Sequence, residues 1–70
     1  MSGTRDAVLE AVQPVNIHGT MLYDLTYTHV GEGQQRRARL GAESVYPEPR
    51  PGDPVRVSYL MNVATHFERR

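Results

Sequence analysis

The chain has 70 residues, with eight arginines and no lysine set against eight carboxylates, three histidines and no cysteine. That length holds one domain burying only about 60% of its unfolded surface, which excludes a second domain and leaves a small core. Zero net charge excludes the strongly positive field of non-specific nucleic-acid binders, and the missing cysteines exclude disulfide staples and thiolate metal sites.

From Met1 to Arg5 the residues are small and polar and are expected to fray. Between Asp6 and Val15 the apolar positions Ala7, Val8, Leu9, Ala11, Val12 and Val15 fit a helix face about as well as a strand. Pro14 would stop a helix after about two turns, and the valines favour a strand. Asn16 to Thr20, with Gly19 inside, reads as a turn.

Met21 to Val30 is the clearest strand, alternating Met21, Tyr23, Leu25, Tyr27 and His29 against Leu22, Asp24, Thr26, Thr28 and Val30. Gly31 to Gly33 supplies a hairpin turn. The returning strand, Gln34 to Leu40, sets Gln35, Arg37 and Arg39 against Arg36, Ala38 and Leu40. Gly41 to Tyr46 reads as a bulge or bend. Pro47 to Pro54 forms a stiff surface loop in which Pro51 and Gly52 suit the centre of a type II turn capped by Asp53. Val55, Val57, Tyr59 and Met61 then alternate against Arg56, Ser58 and Leu60. A turn at Asn62 leads into a terminal strand or single helical turn whose Phe67 plugs the core. The expected architecture for residues 1–70 is therefore all-β, a small antiparallel barrel of four or five strands, SH3-like or OB-like.

The run Pro51-Gly52-Asp53-Pro54-Val55-Arg56-Val57-Ser58-Tyr59-Leu60 resembles a family of uncharacterised small bacterial β-domains. The family signature is a Pro-Gly-Asp-x-Val-x-Val-x-Tyr strand near the C-terminus, and its members are often found beside transmembrane helices. This chain departs from it in having no membrane helix and in carrying Asn62-Val63-Ala64 where an asparagine-proline segment tends to follow the tyrosine strand. The resemblance implies the barrel and no activity.

No residue set points to an enzyme. His18, His29 and His66 match no metal-ligand spacing, and surface or strand-end roles account for them. Ser44 and Ser58 lack a glycine-framed elbow, and Gly31 and Gly33 precede no helix that could cradle phosphate. No cofactor, metal or catalytic residue is expected. The distinctive feature is a surface made by Arg36, Arg37, Arg39, Arg50 and Arg56, residue types that anchor protein partners. The leading expectation is a non-enzymatic protein-binding module, of the kind that phages and mobile elements encode as inhibitors and accessory factors. The alternative is nucleic-acid binding, with Tyr23, Tyr27 and Tyr59 stacking on bases if they face outward. Those tyrosines otherwise fill the core. Chains of this size also gain stability by self-association, so a homodimer or larger assembly is expected. No signal-peptide core and no apolar run near the roughly 20 residues of a membrane span occur, so a cytoplasmic protein is expected.

Overall fold

A computed structural model describes all residues from Met1 to Arg70. Five strands make one antiparallel sheet: β1 (Gly3–Ile17), β2 (Thr20–His29), β3 (Gln35–Gly41), β4 (Pro54–Leu60) and β5 (Val63–Arg69). A single turn of 3-10 helix, Ala42–Ser44, follows β3. The strand order is β3-β2-β1-β4-β5, with β3 and β5 at the two edges. No helix is long and apolar enough to cross a membrane.

β1 organises the sheet because it is long enough to serve two partners. Its first part pairs Gly3 to Val8 with Tyr59 to Pro54, and most of its length, Ala7 to Ile17, pairs with β2. The open choice between helix and strand for Asp6–Val15 thus resolves as strand, since only an extended chain reaches both neighbours. Pro14 is tolerated because β4 has ended by then, so β1 is flanked there by β2 alone. A bulge between Leu9 and Ala11 re-sets which side chains face inward, so that Ala7, Leu9 and later Val12 share the inner face.

The first five residues, expected to fray, are held. Gly3 to Arg5 pair with β4, Asn62 N–H donates to the Met1 carbonyl at 2.7 Å, and Met61 N–H donates to Ser2 Oγ at 3.1 Å. The terminal amine also reaches Asn62 Oδ1.

The turns follow local chemistry. His18 and Gly19, both at positive φ, close the β1–β2 hairpin, with Gly19 N–H donating to Asn16 Oδ1 at 2.9 Å. Met61 and Asn62 close β4–β5 in the same left-handed region. In the proline loop Gly52 adopts φ 93° after Pro51, and Asp53 N–H donates to the Arg50 carbonyl, the type II turn read from the sequence. Asp53 also accepts from Arg50 N–H at 3.0 Å and from the Tyr46 hydroxyl at 2.7 Å. The loop is then stitched to β1 at the bulge, where Gly52 N–H donates to Leu9 O and Leu9 N–H to Asp53 O.

The inner face gathers Ala7, Leu9, Leu25, Tyr27, Val45, Val55, Val57, Tyr59 and Phe67. The terminal segment after Asn62 is a strand, and Phe67 sits in the core with its ring edge-on to Tyr27 at 4.9 Å between centroids. The two edge strands do not pair along their lengths. Backbone pairing across this gap occurs only just past β3, through a parallel bridge of Val45 with Phe67 and a bond from Tyr46 N–H to the Phe67 carbonyl at 3.2 Å.

Candidate functional site

The sheet therefore has an open seam between β3 and β5, and Arg36, Arg37 and Arg39 collect there. A groove of about 320 Å³ runs along it, lined by Tyr27, Arg36, Arg37, Arg39, Tyr59 and Asn62, with Ala38, Val63 and Ala64 as its apolar parts. Three of the lining residues are arginines and none is acidic.

Alternation along β3 decides where each guanidinium goes. Arg36 pairs across to Tyr27, Ala38 to Leu25 and Leu40 to Tyr23, so these belong to the inner face. Arg37, opposite Thr26, and Arg39, opposite Asp24, belong to the outer face. Arg39 is bound in a two-pronged contact to Asp24 at 2.6 and 2.9 Å, which holds that carboxyl below its usual range. Arg36 lies 3.3 Å from Glu32, while its Nε is buried without an acceptor. Arg37 is the exception: every other arginine has a carboxylate within ion-pair distance, and Arg37 has none.

Beneath the groove lies a buried polar chain. His29 is 1% exposed, and its Nε2 is 2.7 Å from the Tyr59 hydroxyl, which is 2.7 Å from the Tyr27 hydroxyl. The two hydroxyls and Nε2 are paired when Tyr27 donates to Tyr59, Tyr59 donates to His29 Nε2, and the imidazole proton sits on Nδ1, which is buried without a hydrogen-bond partner, Glu32 Oε1 lying 3.5 Å away. That requires a neutral imidazole. Burial first, then the positive fields of Arg36 and Arg5, push the His29 pKa down, and these outweigh the opposing pull of Glu32. Bonds from Arg5 and then Arg36 hold the Glu32 carboxyl below its usual range. Burial and the bond to Tyr59 drive the Tyr27 hydroxyl well above the usual phenol range.

The residues singled out from the sequence separate into those the fold brings together and those it does not. Arg36, Arg37 and Arg39 share the seam. Arg56 lies on β4, beyond β2 and β1 in the strand order, and pairs with Asp6 at 3.3 Å. Arg50 stands on the proline loop beside Glu48 and borders a separate shallow depression with Asp53 and Arg69. Tyr27 and Tyr59 are buried and Tyr23 is half-buried against the core, so the first two present no ring face to water for stacking.

Glu32 and Arg5 were not singled out, and His29, read as a surface or strand-end histidine, ends β2 but is buried. The alternation that put His29 in register with Tyr23, Leu25 and Tyr27 was the available signal, because it set the imidazole on the inner face. Neither His18 nor His66 joins it, and no three His, Asp or Glu side chains gather as a metal nest. No known protein family, curated protein or solved structure matches this chain.

Proposed function

We propose that the protein is a non-enzymatic binding module that takes an extended segment of a protein partner along the edge of β3. The single observation that carries this is the unpaired edge itself. Residues Gln35–Gly41 have β2 on one side and no strand on the other, and outside the β2 ladder they make no backbone hydrogen bond. Such an edge is a ready template for one more strand, in which main-chain bonds give affinity and alternate side chains give selectivity. The seam groove beside it supplies room and a charged wall.

The wider architecture fits a partly open barrel of OB kind. The strand order β3-β2-β1-β4-β5, a helical turn after β3 and a parallel contact between Val45 and Phe67 support that reading. The same fold often takes single-stranded nucleic acid, but here Tyr27 and Tyr59 are buried and all arginines but Arg37 have carboxylate partners.

Two measurements test the proposal together. A library of short extended peptides is titrated against the protein while amide exchange along β3 is followed. Bound peptides slow exchange at the β3 edge and leave β1 unaffected. A parallel titration with labelled single-stranded oligonucleotides at low salt separates the alternative: micromolar binding that weakens steeply with salt, together with an unprotected β3, would replace the peptide reading.

A further inference from the structure

We infer that the strand captured at β3 is acidic, with two consecutive carboxylate residues flanked by a small apolar one. This rests on the strand-addition reading above and specifies its partner. Opposite side chains on neighbouring strands lie about 5 Å apart on the same face, where unlike charges attract and like charges repel. A strand laid beside β3 puts one residue against Arg36 on the inner face, the next against Arg37 on the outer face, and the third against Ala38.

Each of those positions carries a requirement. Arg37 is exposed with no carboxylate partner, so an acidic residue opposite it gains an ion pair without breaking one. Arg36 shares Glu32 with Arg5, and its Nε is buried and lacks an acceptor. A carboxylate entering the groove pairs with the part of the Arg36 side chain that stays exposed, 32% of it. Ala38, Val63 and Ala64 leave space for a small apolar side chain and offer nothing polar to a larger one. Arg39 adds little, because Asp24 already neutralises it.

Charge also decides against a second copy of the chain at this edge. Antiparallel pairing of β3 with itself, centred on Arg37 or on Ala38, sets arginine opposite arginine. An acidic strand from another protein meets no such repulsion, and the lining of the groove contains no acidic residue to oppose it.

The test uses the intact chain and three labelled peptides: Thr-Val-Asp-Glu-Ala-Val-Thr, its Asn-Gln counterpart and its Lys-Lys counterpart. Fluorescence anisotropy gives the affinities, and amide exchange reports whether β3 is the strand covered. The acidic peptide should bind about tenfold more tightly than the amide peptide, the scale of one close charge pair. Arg37→Glu should invert the order in favour of the Lys-Lys peptide. Arg37 is exposed, so this variant should keep its fold, and circular dichroism verifies that. Equal binding of all three peptides with β3 protected would overturn the acidic preference while leaving strand addition standing. Failure of every peptide to slow exchange at β3 would overturn both. An acidic peptide that binds with β3 unprotected, or an unchanged order in Arg37→Glu, would likewise remove the assignment.

Discussion

The two sides of the sheet are built on opposite terms. On the β1–β4 side, Ala7, Leu9, Val55 and Val57 have no exposed surface, β4 is paired with β1 from Pro54 to Tyr59, and the proline loop is bonded down over the bulge. On the β3–β5 side the outer strand edges are unpaired, the interior holds a hydroxyl–imidazole chain beside Phe67, and the rim carries arginine. The four side chains named on the first side are all aliphatic. The second keeps polar groups near water and leaves backbone bonds unmade.

Substitutions that erode this contrast should separate by size. The largest effect belongs to Leu9→Ala, which empties a fully buried site on the β1–β4 side. It should cost about 2–5 kcal/mol, enough in a marginal domain to leave much of the chain unfolded at room temperature, as read from urea unfolding. On the seam side, Tyr59→Phe keeps the ring but strands both the Tyr27 hydroxyl and His29 Nε2. A loss of roughly 1–3 kcal/mol is expected, smaller than for Leu9, and measurable as a lowered thermal midpoint.

The third comparison is one of pH. Because the folded state depresses the His29 pKa, the unfolded chain binds more protons as the medium acidifies. The contribution of the neutral imidazole is whole above the unfolded value of about 6.5 and is lost as pH falls below it towards the lower folded value. Urea unfolding repeated down through that window should show stability falling, and His29→Gln should flatten the fall. The carboxyls of Glu10, Asp24, Glu32 and Asp53, all held low by hydrogen bonds, act at lower pH: their stabilisation is present above about 4 and fades as pH drops through their folded values. A slope that His29→Gln leaves unchanged would show that the seam is insensitive to the imidazole charge.

Gly52→Ala comes next. The turn holds φ at 93°, so a Cβ is strained there even though space around it is open, and a loss of about 1 kcal/mol is expected in the same assay. Smallest of all, Arg37→Glu should change stability by no more than about 0.5 kcal/mol, because no contact to a carboxylate is lost. A large loss from Arg37→Glu would mean that the seam is part of the folding core and the contrast between the sides is false.

Much of the fold could be read residue by residue. Tyr23, Leu25, Tyr27 and His29 alternate cleanly, and so do Val55, Val57 and Tyr59, because a strand with one buried face imposes a period of two. Pro51-Gly52-Asp53 specified its turn because φ preferences act within the residue itself. The site was legible only in part. Arg36, Arg37 and Arg39 are adjacent in sequence and so stay together, whereas Arg50 and Arg56 were grouped with them on residue type alone. The hold on Met1 and Ser2 depends on Met61 and Asn62, at the far end of the chain.

By itself, then, the sequence determined the all-β class, the faces of the strands and the chemistry of the turns, since each of these is set by neighbours a few residues apart. Tertiary structure alone decided that β1 would bridge β2 and β4, that backbone bonding across the seam would be confined to Val45 and Tyr46 at Phe67, and that Arg37 would be left without a carboxylate. Those outcomes depend on which distant strands lie side by side, and pairing at long range is fixed by the best burial of the whole inner face, a property that no short stretch of chain possesses.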